Sequence, residues 1–158
     1  MPHDEVVALD GIDERIVRAL LADGRASYAQ IGAVVRLSAP AVKRRVDRLR
    51  AEGVITGFTA RVDADALGWS TEAYVEVFTS RQTPPAELRR RLERFPEVVD
   101  AMTVTGDADA LLHIYAADTR HFERVLSKIS AEPYVARTKS ILVLSSLIRR
   151  LQATDVRP

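Results

Sequence analysis

The chain has 158 residues, room for one ordinary domain or two small ones. It is 47% apolar and 28% charged with 7 Gly and 7 Pro, a globular composition that excludes a disordered or collagen-like chain. With no Cys it has no disulfide, no thiolate nucleophile and no Cys-ligated metal site, and its three His (His3, His113, His121) are too scattered for a zinc cluster.

No apolar run approaches the roughly 18 to 20 residues of a membrane span. The opening Met1-Pro2-His3-Asp4-Glu5 is acidic, unlike a signal peptide. The expectation is a cytoplasmic protein with no membrane partner.

The formal net charge is only +1, but its distribution is uneven. Between Arg36 and Arg50 six cations (Arg36, Lys43, Arg44, Arg45, Arg48, Arg50) face one anion, Asp47, leaving +5. Arg outnumbers Lys 20 to 3 across the chain, so the choice of Arg at any one site carries little information.

Residues 10–53 read as three short helices. Asp10 is placed to cap the first, Ile12, Ile16, Ala19 and Leu20 form its buried stripe, and Gly24 lies past its end. The second opens with the capping box Ser27-x-x-Gln30 and turns Ile31, Val34 and Val35 inward. The third opens at Ser38, tolerates Pro40 in its first turn, buries Val42, Val46 and Leu49, and stops at Gly53. Only Arg36 and Leu37 separate the second helix from the cap of the third. So tight a connection forces a large crossing angle, which is a helix-turn-helix. Arg36 stands where such a turn goes left-handed, at a cost of roughly 1–2 kcal/mol for a non-glycine residue.

On a helical wheel the buried side of the third helix points toward about 20°, while Arg44 and Arg48 fall near 200° and 240°. Pro40 and Ala41 also point outward, and Lys43 and Arg45 lie on the flanks. A recognition helix needs this arrangement: small residues at the leading turn approach base edges, and cations meet phosphates. The candidate DNA contacts are therefore Ser38, Pro40, Ala41, Lys43, Arg44, Arg45 and Arg48. The run Arg89, Arg90, Arg91 and Arg94 has no turn motif before it and intervening Glu87 and Glu93, so it reads as a solvated helix face.

Val54–Val62 is β-rich and is expected to form a strand. Beyond it the order is strand (Tyr74–Thr79), helix (Leu88, Leu92 and Phe95 inward), strand (Val98–Thr105), strand (Ala110–Ala116), helix (Asp118 cap; Phe122, Val125, Leu126 and Ile129 inward), and a last strand within Val135–Leu147. This βαββαβ order predicts a ferredoxin-like antiparallel sheet with both helices on one face. Both side-chain sets of the Ala110–Tyr115 strand are largely apolar, so the second face needs cover, most simply from another copy of the chain. The expected fold class is α+β, divided into a helix-turn-helix domain at 1–53, a strand linker at 54–72 and a ferredoxin-like domain at 73–158. His113 is placed at the uncovered face or in the core, and His121 in an exposed first helical turn.

Three stretches carry a family resemblance. They are Ile12–Ile16 with Gly24–Ser27, Leu37–Val42 with Arg45, Val46 and Leu49, and Glu52–Ile55. With Val62–Gly68 and the Gly-x-x-Asp turn in Thr105–Leu112, they resemble the Lrp/AsnC (feast/famine) transcription regulators from about residue 9 to 148. The resemblance implies a DNA-binding regulator, dimers that assemble further, often to octamers, and an amino-acid effector held between subunits near Gly106. It implies no cofactor and no enzymatic activity.

The residues can support such a site. Gly106 lets backbone amides approach a carboxylate, Asp107 or Asp109 can hold an ammonium, and Thr138 and Ser140 share one strand face. Thr105 completes the set. Two other functions fit the same architecture. One is a DNA-organising protein with little sequence preference; the other is a haem-pathway decarboxylase, disfavoured because His113 and His121 have no evident partner.

Overall fold

A computed structural model describes residues 8–80 and 83–148. The chain separates into two compact units that divide between Arg61 and Val62.

The first unit holds α1 (Gly11–Ala22), α2 (Tyr28–Val35) and α3 (Ala39–Ala51). Asp10 caps α1 in a reciprocal box with Asp13, accepting from the Ile12 and Asp13 amides at 2.9 and 2.7 Å. Ser27 and Gln30 form the expected box at the start of α2. Ser38 occupies the N-cap of α3 without a side-chain cap bond, so Pro40 and the extended Ser38 backbone begin that helix instead. Ile16, Ile31, Val35, Val42 and Val46 form the core. Val34, expected to turn inward with Ile31 and Val35, is instead 58% exposed, because the α2 face buried by its neighbours is that of Ile31 and Val35.

The turn between α2 and α3 runs through Arg36 in the left-handed region (φ 60, ψ 46). Its tightness depends on Gly32. A Cβ built there would lie 2.4 Å from the Leu37 carbonyl oxygen, a distance no packed methyl tolerates.

Val54–Val62 forms no strand, contrary to the sequence reading. A strand is defined by its ladder, and this stretch has no partner strand among the described residues. Phe58 and Val62 are both more than half exposed.

The second unit contains β1 (Thr71–Thr79), α4 (Pro85–Leu92), β2 (Val98–Thr103), β3 (Ala110–Ala116), α5 (Thr119–Ser130) and β4 (Val135–Leu142). The sheet order is β2-β3-β1-β4, all antiparallel. Alternation along β1 and β3 sends Ala73, Val75, Val77, Ala110, Leu112, Ile114 and Ala116 into one core with Leu92 of α4 and Phe122, Val125 and Ile129 of α5. Asp118 caps α5 through the His121 amide at 2.7 Å.

The opposite sheet face is less apolar than the sequence suggests. Tyr74, Phe78, Leu111 and Tyr115 share it with Glu72, Glu76 and His113, all only partly covered. Neighbouring strands add Arg137, whose guanidinium lies 3.7 Å from the Phe78 ring centroid, and Lys139, 3.2 Å from Glu76. Ile141 and Met102 are the exposed apolar groups there.

Candidate nucleic-acid interface and effector region

The outer side of α3 follows from what its inner side must bury. Val42, Val46 and Leu49 are fully buried, which fixes the helix's rotation about its axis. Pro40, Lys43 and Arg44 are then exposed, and Ala41 and Arg45 are half-covered. Ala41, Arg44, Arg45 and Arg48 line a shallow groove with Leu37 and Asp10.

The cations of this helix differ in what holds them. Arg44, with Arg36 and Arg50, makes no ion pair among the described residues. Lys43 bonds Asp47 one turn along at 2.6 Å. Arg45 donates to Asp10 at 2.6 Å and to Asp13 at 2.8 Å, and Arg48 donates to Asp13 at 2.5 Å. Arg48 is exposed on the same side as Arg44, as the wheel predicts, with its guanidinium drawn toward a carboxylate of α1. With Asp10 and Asp13 counted, the local excess of +5 falls to +3.

Asp13 is only 1% exposed. Burial by itself would raise its pKa, but the charge-assisted hydrogen bonds from Arg48 and Arg45 overcome this and hold the carboxyl below its ordinary value. Asp10 is lowered to about 2, chiefly by Arg45 and then by the Asp13 amide. A second tie joins α1 to α2, where the Arg15 guanidinium donates to the Val34 carbonyl.

Of the effector candidates, Thr105, Gly106, Asp107 and Asp109 lie at one end of the second unit, in the β2–β3 connection. Thr105, Gly106 and Asp107 are exposed in the β2–β3 turn, with Gly106 at φ +117. Asp109 is engaged: its carboxylate accepts from the Thr79 amide at 2.7 Å and the Thr79 hydroxyl at 2.8 Å. The amide and then the hydroxyl keep its pKa below the usual value. Thr138 and Ser140 pair with Val77 and Val75, so they share a face, as expected, on the helix-covered side. Thr138 is bonded to Ser130 of α5 at 3.0 Å. Strands β3 and β1 lie between the Gly106 turn and β4, so one chain does not bring the six residues into a single cavity.

Comparison with known proteins agrees with both units. The AsnC-type helix-turn-helix domain matches residues 9–50, and the Lrp/AsnC ligand binding domain matches residues 72–153. The HTH-type transcriptional regulator Rv2324 of Mycobacterium tuberculosis is 52% identical over 90% of this chain and 97% of its own length. The HTH-type transcriptional regulator LrpA of the same organism is 35% identical over 88% of this chain and 92% of its own. The feast or famine regulatory protein Rv3291c from M. tuberculosis, solved in complex with L-methionine, superposes with a TM-score of 0.87 at 34% identity. That match covers 94% of this chain and all of the other.

The chain belongs to the Lrp/AsnC family of transcription regulators. These relatives are regulators of transcription rather than enzymes. His113 and His121 of this Lrp/AsnC chain also have partners that the sequence did not reveal. His113 Nε2 lies 2.7 Å from Glu72 and its ring stacks on Tyr74 at 4.6 Å between centroids. His121 is half-buried rather than exposed; Nε2 meets Glu97 at 3.0 Å and Nδ1 accepts from the Ala117 amide at 3.2 Å. His3 lies outside the described residues. Arg89 and Arg91 pair with Glu93 and Glu87 at 2.8 and 2.7 Å, and Arg94 pairs with Glu132, in keeping with a charged helix face. Among the described residues, no helix is long and apolar enough to cross a membrane and no group of His, Asp and Glu could hold a metal.

The functional residues missed in the sequence are Asp10 and Asp13 as partners of α3, and Gly32. A signal existed for each. Asp13 falls three residues before Ile16, on the buried stripe, where an unpaired carboxylate is untenable. Gly32 sits inside a helix where Ala is preferred by about 1 kcal/mol, so a packing reason is required.

Proposed function

We propose that this regulator binds specific double-stranded DNA sites as a homodimer, assembling further toward an octamer, and that an amino acid modulates its assembly or DNA binding. It acts in the cytoplasm and catalyses no reaction. The observation that carries the reading is the exposed cationic side of α3, presented by a tight left-handed turn and led by Pro40 and Ala41. Ser38, Pro40 and Ala41 at the leading turn approach base edges, Arg44 reads a base or clamps a phosphate, and Lys43 and Arg48 supply flanking charge, while Arg45 is held back against Asp10 and Asp13.

The effector part rests on family membership and on the methionine bound by the M. tuberculosis relative. In this chain Gly106 and Thr105 offer backbone amides to a carboxylate. Asp107, exposed at the turn, is the better ammonium partner, since Asp109 already serves Thr79. Thr138 and Ser140 contribute from another strand, which suits a site completed by a second chain. The domain assignment at 1–53, 54–72 and 73–158 goes with this division of labour.

Competition gel shifts test the first part. A preference of 10³-fold or more for a selected site over random duplex is expected. Equal affinity would favour the DNA-organising reading instead. A thermal-shift screen of the amino acids tests the second part, because a ligand that prefers the folded state raises the melting temperature. Sedimentation with the ligand so found then reports the assembly change.

A further inference from the structure

The first unit carries a carboxylate where a DNA-binding groove is expected to be purely basic. Asp10 is half exposed, with a side-chain accessibility of 53%, and it lines the same groove as Ala41, Arg44, Arg45 and Arg48. Its two oxygens have separate duties. Oδ1 accepts from the Ile12 and Asp13 amides and begins α1; Oδ2 takes Arg45 Nη1 at 2.6 Å. Asp13 anchors the same guanidinium from beneath, fully buried, through Oδ1 at 2.8 Å.

Two carboxylates therefore share one guanidinium, and they are not equivalent. Asp13 also holds Arg48, so this inner carboxylate orients both side chains and faces no solvent. Asp10 is not needed to orient Arg45, which Asp13 already holds. What Asp10 adds is a negative charge on the solvent side of the cation, where a phosphate would approach.

Resting on the reading of α3 as the DNA-contacting helix, we propose that Asp10 screens Arg45 from the DNA backbone and thereby limits indiscriminate binding. Non-specific affinity comes almost wholly from phosphate neutralisation. A screened Arg45 removes one such contact per protomer. Arg44, with no carboxylate paired to it, is left as the unscreened cation of this groove.

The test uses the full chain and a random-sequence 40-base-pair duplex, titrated from low to moderate salt. Asp10→Asn keeps the helix cap, since Asn and Asp cap equally well, and removes only the charge. Amide exchange of α1 confirms that the cap survives. We expect D10N to bind random duplex more tightly and to steepen log K against log salt by about 0.9 per protomer. R45Q alone should leave the slope near that of the unaltered protein, and D10N/R45Q should lose the D10N increment.

An unchanged slope in D10N overturns the proposal. So does a steepened slope that persists in D10N/R45Q, because the effect would then not pass through Arg45. A flattened slope in R45Q alone also overturns it, by showing Arg45 already on phosphate. If the unaltered protein binds no duplex at all, the failure is that of the DNA-binding reading itself.

Discussion

The two units position their working groups by opposite means. In the second, an apolar core between sheet and helices fixes the backbone, and the candidate effector residues sit on turns and edges where hydrogen bonds to Thr79 and Ser130 trim their orientation. In the first, the apolar core is small and ion pairs do part of the orienting: a buried Asp13 receives two guanidinium groups from the very helix that faces outward. A packed apolar core tolerates the loss of a surface charge. A buried carboxylate does not tolerate the loss of its cations, nor they of it. Charge changes should therefore be felt sharply in the first unit and weakly in the second.

The largest effect expected is steric and marks the limit of that contrast. Gly32→Ala drives a methyl into the Leu37 carbonyl and should destabilise the first unit by about 3 kcal/mol or more, with loss of DNA binding. Gly57→Ala meets nothing within 4 Å and serves as the control. Amide exchange resolves the two units separately, so protection should fall in α1–α3 while β1 and β3 keep theirs. Equal protection in G32A would show that the turn relaxes at no cost.

Next is Asp13→Ala. It removes the buried partner of two guanidinium groups, leaving Arg45 to Asp10 and Arg48 to Glu52 at 3.7 Å, so the penalty should be about 2 kcal/mol, short of that for a fully buried pair. Asp109→Ala, the corresponding loss in the second unit, removes two hydrogen bonds at an exposed turn and should cost about 1 kcal/mol or less. The readouts are α3 amides for the first and the Thr79 amide for the second. If the two substitutions cost the same, the contrast between the units is wrong.

These cases also show what could be read from the chain alone. The elements were legible because their signals are local: the Ser27–Gln30 box, the two-residue gap before Ser38, and the alternation in Ala110–Ala116 all act over a few residues. Arg36 in its left-handed role was legible for the same reason. The pairings Arg45–Asp10 and Arg48–Asp13 span 35 residues each, and wheel geometry on one helix cannot see the helix that packs beside it. The outcome was a correct outward face with one of its cations drawn aside. His113 with Glu72 and His121 with Glu97 were missed likewise, at separations of 41 and 24 residues. Val54–Val62 failed differently: its β-propensity is real, but propensity does not supply a partner strand.

Acid should separate the units as substitutions do, more gently. Asp10 and Asp13 both titrate below their unfolded values, Asp10 near 2. A carboxyl with a lowered folded pKa contributes its stability in full above the unfolded pKa of about 4 and loses it as the pH falls toward the folded value. Asp109 in the second unit behaves in the same direction but serves only one turn. Between pH 4 and pH 2 the α1–α3 amides should therefore lose exchange protection before those of β1 and β3. Asp10→Asn, which no longer titrates at that position, should narrow the gap without closing it, because Asp13 remains. If both units lose protection in step over this range, the carboxylates on α1 are not what secures α3.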